Sequence, residues 1–570
     1  MNKYKWILKE AINESAKQQF PEVPLSILQL LFDRGLTTQA NIDEFLHPDY
    51  SQDIHDPFLF SQMKQAVERL YQARDKKEKI AIYGDYDADG VCGSAILHKI
   101  FTKLNFDFVT YLPDREKDGY GLNNKAVGEL ADQGVKLIIT VDCGISNNAE
   151  VALANSLGVD VILTDHHHVP EQTPEALAII HPAWDKTYPF KKLSGGGVAF
   201  KLAQGLILDT RSGFNASEGE SFAKWLLDLV AISTVADMVP LLGENRTLVK
   251  YGLIVLAKTK NLGLDKLMQV ATVNREKLDT HSISFQIAPR INAAGRMSHA
   301  NNAYQLVTTE NIEEAITIAT QLNKRNLERQ SLTEKLVNEA KEQLGEVGAD
   351  KPILFAVGEN WNPGLIGLVA SKLTQDFARP SFVLSDDGNR YVASGRSIKE
   401  FDLIEGMDKF SQYFLRYGGH SGAAGFSMSK DQLADFKEKF LAYGAEKLAG
   451  FTFVPSILID QEITLAQADW QLVEFLEAFS PYGESNFKPR FLIKNLTVIS
   501  AEIIGSDKSH LRMLVSDGQI KRKIICFGFG LIAKQIKPGE KVDIVCELSI
   551  NEWNGNREIQ LSLLDIKISM

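Results

Sequence analysis

The chain has 570 residues, 44% hydrophobic and 24% charged, enough for three or four domains with ample buried core. No apolar stretch approaches the roughly 20 residues that a membrane helix needs. The 73 acidic against 62 basic residues give a net charge of −11, so there is no global attraction to phosphate polymers and any nucleic-acid binding must be local.

The opening residues, Met1 to Glu10, interrupt their apolar character with charges too soon for a secretory signal, and the expectation is a cytoplasmic protein. Cys92, Cys143, Cys526 and Cys546 form no Cys-x-x-Cys pair, which fits reduced thiols and argues against a disulfide framework or a structural zinc site. Residues 1–75 have an amphipathic helical pattern broken at Pro21, Pro24 and Pro48, and are expected to be a packing extension.

Over residues 76–310, β-branched runs such as Lys79–Tyr83, Leu137–Thr140 and Val159–Leu163 alternate with helical stretches at Val91–Leu104, Asn123–Gln133 and Ser146–Leu157. That alternation predicts an α/β domain built on a parallel, doubly wound sheet. Ser194-Gly195-Gly196-Gly197 opens a further helix, where bare amides suit either close packing or an anion. Residues 311–345 carry apolar positions at helical spacing, from Ile316 to Ala340, and predict one long connecting helix. Residues 346–452 alternate again, with runs at Ile353–Val357, Ser381–Leu384 and Tyr391–Ser394, and predict a second, smaller α/β domain. Residues 453–570 show short strands separated by turns such as Ser516-Asp517-Gly518 and Lys537-Pro538-Gly539, and predict a small β-barrel.

Four clusters carry chemistry: Asp85-Tyr86-Asp87-Ala88-Asp89-Gly90, Asp142-Cys143-Gly144, Asp165-His166-His167-His168 and Asp237-Met238-Val239-Pro240. Three follow predicted strands, at the sheet edge where active sites of open α/β folds form. One such cluster is usually a solvated turn or a hydrogen-bonded cap. Four in one α/β block point to a two-metal site. Asp87 and Asp89, one residue apart in a loop leaving a strand, can reach a common ion, and oxygen ligands with some histidine nitrogen favour magnesium or manganese.

Asp165-His166-His167, preceded by Asp85-Tyr86-Asp87-Ala88-Asp89-Gly90, resembles the signature of the DHH phosphoesterase superfamily. Gly418-Gly419-His420-Ser421-Gly422-Ala423-Ala424-Gly425-Phe426 and Ala393-Ser394-Gly395-Arg396-Ser397 resemble the DHH-associated domain, with Arg290-Ile291-Asn292-Ala293-Ala294-Gly295-Arg296 between the two. The resemblance covers about residues 75–570 and implies an OB-type fold for the closing barrel. It also implies an exonuclease that degrades single-stranded DNA from the 5′ end to mononucleotides by metal-assisted hydrolysis, in DNA recombination and repair.

Carried onto this sequence, the resemblance implies that Asp87, Asp89, Asp142, His166 and Asp237 hold two divalent ions, Mn2+ or Mg2+, with Asp142 bridging. Asp85 is a further candidate ligand, because Tyr83 stands where the superfamily often has a histidine. His167 would hydrogen-bond a scissile phosphate oxygen, Asp165 would orient a histidine, and His168 would be peripheral. Arg290, Asn292, Arg296, Ser394, Arg396, Gly419 and His420 are candidate nucleic-acid contacts, some of them clamping a terminal 5′ phosphate.

Single-strand preference would follow from a narrow channel between the α/β domains, with Lys324, Arg325 and Arg329 of the long helix as candidate lining. On the barrel, Lys521-Arg522-Lys523, Phe527, Phe529, and Trp553 near Arg557 are the ingredients for binding a strand, and each suits a barrel core or a solvated turn equally. Implied partners are single-stranded DNA, a single-strand-binding protein and a helicase, with no membrane. A monomer is the simpler expectation. Two other readings stay open: a hydrolase of short oligonucleotides, cyclic dinucleotides or pyrophosphate, which would not need the barrel, and a non-enzymatic strand-binding protein, which would not need the ligands.

Overall fold

The computed structural model describes residues 4–115, 118–297, 299–348, 350–505, 508–553 and 555–569, without the side chains of Glu14, Lys534 and Trp553. It contains two compact units. One runs from Leu31 to Asn326 and takes in Phe475–Lys488; the other holds the segment up to Leu30, Leu327–Glu474 and the chain from Pro489 onward.

In the first unit, β1 (Lys79–Gly84), β2 (Phe108–Tyr111), β3 (Val135–Val141), β4 (Asp160–Thr164) and β5 (Ala178–Ile180) form an all-parallel sheet of order β2-β1-β3-β4-β5. Both faces are covered, which is why these runs are apolar throughout rather than alternating. Ile80 and Ile82 enter one core with helices α1 (Ala88–Lys103), α2 (Gly195–Leu208) and α3 (Leu227–Ala236), while Ala81 and Tyr83 enter the core on the other face. The strand order reverses between β1 and β3, so their carboxyl ends frame a switch-point crevice.

Helix α4 (Ala288–Met297) continues from a π-helical turn at Ile283–Ile287. Pro289 is the cause: it lacks the N–H that an α-helix would aim at the Phe285 carbonyl. The expected long helix is α5 (Ile312–Leu344), and the division between the units falls within it.

In the second unit, β6 (Leu354–Glu359), β7 (Ser381–Asp386), β8 (Arg390–Arg396), β9 (Arg416–His420) and β10 (Ala423–Ser429) form a mixed sheet of order β9-β10-β8-β7-β6, parallel only between β6 and β7. The last five strands, β11 (Arg490–Ile504), β12 (His510–Ser516), β13 (Lys521–Cys526), β14 (Lys541–Trp553) and β15 (Asn556–Ile568), close into a barrel, because β11 pairs with both β12 and β14. A register shift between Val498 and Ser500 accompanies the bend that lets one strand serve both neighbours.

The first 75 residues are not uniformly helical. They open on a strand, Lys5–Leu8, paired in parallel with Ser456–Ile459, and Trp6 Nε1 donates to Asp565 at 2.7 Å beneath the Lys567 ammonium. Residues up to Leu30 therefore belong with the second unit and those from Leu31 with the first. A short strand anchored by Trp6 and, at its end, by Lys9 on Asp460 has no periodicity of its own to announce it.

Candidate metal centre

The three aspartates after β1 do different work. Asp87 caps α1, its Oδ1 accepting from the amides of Asp89 at 2.9 Å and Gly90 at 3.2 Å. Asp89 is buried and accepts from Gly195 N at 2.8 Å, Gly196 N at 2.7 Å and Ser233 Oγ at 2.5 Å. The Gly195 and Gly196 amides thus orient a carboxylate of the chain itself, while the Gly197 amide donates to the Ser194 cap. A Cβ on Gly195 would lie 2.5 Å from Asp142 Cβ, so only glycine lets α2 start there. Asp142 follows β3 with φ +63°, a left-handed backbone uncommon for a residue with a side chain. Asp165-His166-His167 follow β4, and Asp237 ends α3.

These residues converge into overlapping ligand sets, each with ligand atoms within 4.8 Å of one another. Asp89, His166 and Asp237 form one, Asp85, Asp87 and Asp142 a second, and Asp142, His166 and His167 a third that shares residues with both. Asp142 stands at their boundary: its Oδ1 is 3.0 Å from His166 Nε2, which is 3.5 Å from Asp237 and 3.6 Å from Asp89. The Asp85 Oδ1, Asp142 Oδ1 and His166 Nε2 atoms are buried without hydrogen-bond partners. Buried polar atoms are ordinarily satisfied, so this donor set fits oxygen-seeking divalent cations. The electrostatics agree. Burial and the charges of Asp89 and Asp87 push the Asp237 carboxyl up to about 8, and burial with the neighbouring aspartates holds Asp142 well above the usual range. Burial lowers His166, keeping it the neutral imidazole a ligand must be.

His167 differs from its neighbour. Burial depresses it, but the Asp165 carboxylate, 2.8 Å from Nδ1, outweighs burial and raises it to about 9. Asp165 also accepts from the amides of Ile145, His166 and His167, and lies far below the usual carboxylate range. Tyr83 does not occupy a ligand position. It points to the opposite face of the sheet, where its hydroxyl donates to Gly121 O at 3.1 Å and accepts from Asn123, and Asp85 completes the set with Asp87 and Asp142.

A cavity of about 320 Å3 opens over the ligands, lined by Asp85, Asp87, His167, Asn292 and Arg296 together with Arg115 and Tyr120. Arg115 and Tyr120 have no motif to mark them; their only signal is that they follow β2 at the sheet's carboxyl edge. The Tyr120 hydroxyl donates to Asp142 O at 3.2 Å and lies 3.0 Å from His167 Nδ1. Asn292 Oδ1 accepts from Ala88 N at 2.7 Å, pinning α4 to the start of α1. Arg290 turns away from the cavity lining, donating to Asn323 on α5 at 2.9 Å and to Gln286 O at 2.5 Å.

The remaining candidates lie in the second unit. Arg396 donates to Ser394 Oγ at 3.1 Å and to Gly395 O at 2.8 Å, facing Gly367, where a Cβ would come within 3.1 Å of both side chains. Gly419 has φ +145° and leaves no room for a Cβ against Ala423 O, and His420 ends the exposed strand β9. On the barrel, Lys521, Lys523 and Phe527 are exposed and Phe529 is half-buried. Arg557 covers Trp470 at 5.5 Å, while the Trp553 side chain lies outside the described residues.

A parallel sheet carrying aspartates at its switch point and Asp-His-His after its fourth strand defines the DHH class of fold. Residues 79–234 match the DHH family, N-terminal domain, residues 350–446 match the DHHA1 domain, and residues 459–565 match the RecJ OB domain. The single-stranded-DNA-specific exonuclease RecJ of Bacillus subtilis (strain 168) is 36% identical over all of this chain and 71% of its own length, and that of Escherichia coli (strain K12) 31% identical over 89% and 90%. RecJ of Thermus thermophilus in complex with Mn2+ superposes with a TM-score of 0.84 at 28% identity, over 100% of this chain and 80% of that one. Its Mg2+ complex superposes with a TM-score of 0.77 at 25% identity, over 100% and 79%. The chain belongs to the RecJ family. No described helix is long and apolar enough to cross a membrane.

Proposed function

We propose that this chain is a metal-dependent exonuclease that hydrolyses single-stranded DNA from the 5′ end to mononucleotides, using two divalent ions, Mn2+ or Mg2+, in DNA recombination and repair. The observation that carries this reading is the group of overlapping ligand sets with buried, unpartnered Asp85, Asp142 and His166 atoms, in a chain whose relatives are named for this activity. Asp89, His166 and Asp237 would hold one ion and Asp85 and Asp87 the other, with Asp142 as the candidate ligand shared between them. When bound, the ions supply Lewis acidity toward the phosphodiester and activate water.

Asp165 holds His167 by Nδ1 and favours its protonated form, so that Nε2 would be the donor to a scissile phosphate oxygen as negative charge builds there. Tyr120 and Asp165 hold that ring in orientation, and Arg296 and Arg115 face the phosphates from the cavity wall. Ser394, Arg396, Gly419 and His420 receive the terminal 5′ phosphate, and Arg290 and Asn292 act by positioning α4. The domain limits 76–310, 346–452 and 453–570 go with this reading, as do a monomeric state, a cytoplasmic location, and a helicase and a single-strand-binding protein as partners. The barrel favours a long strand over a dinucleotide or pyrophosphate.

The test is a long single strand labelled separately at each end, incubated with Mn2+, Mg2+ or chelator beside a duplex. Metal-dependent release of mononucleotides from the 5′ label with the duplex spared is the expected result. An intact strand with turnover of dinucleotides or pyrophosphate would move the chain to small substrates.

A further inference from the structure

The helix that lines the metal cavity with Asn292, Gly295 and Arg296 also carries an exposed aromatic pair at its other end. Phe285, in the π-helical turn, is 64% exposed, and the His281 ring stacks on it at 4.4 Å and 28°. Exposed phenylalanine is costly to hydrate, and nothing in its own core needs it: Ile283, Ile287, Ala288 and Ile291 fill the buried side.

Two further observations tie this end to the metal centre. Thr280 donates to Tyr482 O at 2.6 Å, and two residues on, Glu484 O accepts from Leu241 N at 2.8 Å, close after Asp237. Met238, which follows Asp237 directly, is itself 69% exposed with φ +56°. At the cavity end, Gly295 lets α4 approach so closely that a Cβ there would lie 2.7 Å from Tyr86 O. Phe285 and Gly295 are ten residues apart, about 15 Å of helix, a distance that a strand of a few nucleotides spans.

We propose that Phe285, backed by His281, is a stacking platform for one unpaired base of the substrate strand, a few nucleotides from the bond being cut. The inference rests on the reading of the substrate as single-stranded DNA. It adds a specificity element to it: a flat ring stacks on any exposed base face, whereas a duplex keeps its bases paired with one another, so the platform rewards single strands without reading sequence. The π turn forced by Pro289 is what breaks the regular helix at this point, a distortion that recurs at functional sites.

The test uses oligonucleotides carrying 2-aminopurine at successive positions, bound to the full chain in chelator so that no cleavage occurs. One or two adjacent positions inside the 5′ end should be quenched by the wild-type chain, lose that quench with Phe285→Ala, and keep it with Phe285→Trp. In turnover with Mn2+, Phe285→Ala should raise KM on long strands about tenfold with kcat unchanged, leave a dinucleotide unaffected, and melt within a degree or two of wild type. His281→Ala should give the same pattern more weakly. A quench profile and a KM identical in Phe285→Ala and wild type would overturn the platform, as would tight capture of a protein partner by this patch with no change in strand binding. If the wild-type chain digests no single strand, the exonuclease reading fails, and the quench profile still decides the platform.

Discussion

Two clusters of buried charge lie in the same unit and are built in opposite ways. At Lys201, Glu244 and Arg246 every charge is answered. Lys201 and Glu244 are completely buried and paired, Tyr188 donates to Glu244 at 2.5 Å, and Lys201 donates to His55 O at 2.7 Å. Arg246 donates to the carbonyls of Phe45, Ala478, Phe479, Ser480 and Pro481. At Asp85, Asp142 and His166 carboxyls and an imidazole converge with buried atoms unpartnered. The first arrangement holds loops in place, since a buried charge is tolerable only when paired and hydrogen-bonded. The second is unfavourable as it stands and becomes favourable when cations fill it. Between these two clusters it is the pairing of the charged groups, more than burial, that differs.

That contrast can be broken most forcefully at Asp142. Asp142→Ala should lower kcat by about 10³-fold or more while strand binding stays within a few-fold, and retained turnover would refute its bridging place. In the satisfied cluster, Glu244→Gln should cost about 3–5 kcal/mol of stability, seen as a lower midpoint in urea. Asp142→Asn should instead raise the melting temperature of the metal-free chain, because it removes repulsion, by a few degrees or on the order of 1 kcal/mol. Mn2+ at a hundred times its dissociation constant should stabilise the wild-type chain by about 2.7 kcal/mol for each ion bound, roughly 5.4 kcal/mol for two, in calorimetry, and Asp142→Ala by no more than half of that. A similarly small effect is expected at the terminal nucleotide: removing the 5′ phosphate should slow digestion about tenfold, roughly 1.4 kcal/mol, if Arg396 and Ser394 bind it, and an unchanged rate would discard that clamp.

The sheet, the long helix and the barrel were legible because each rests on periodicity and turn residues that local sequence carries. The convergence of these Asp and His residues was legible because acidic clusters recur at the ends of elements in one α/β block. Three things were hidden for physical reasons. The Lys5–Leu8 strand has meaning only through its partner at Ser456–Ile459, hundreds of residues away. Arg115 and Tyr120 are ordinary loop residues until β2 delivers them to the cavity. The role of Gly195 and Gly196, whose amides take the Asp89 carboxylate, depends on α2 meeting α1, which no spacing along the chain reports. Tyr83 shows the reverse case: its position in the pattern suggested a missing ligand, and the pleat turned it to the other face, while Asp85 groups with Asp87 and Asp142.

The most direct test of the central claim is to count Mn2+ bound per chain by equilibrium dialysis. Two ions per wild-type chain, with loss of at least one in Asp142→Asn, is the result this account predicts. No bound ion at millimolar Mn2+, or two ions still held by Asp142→Asn, would contradict it.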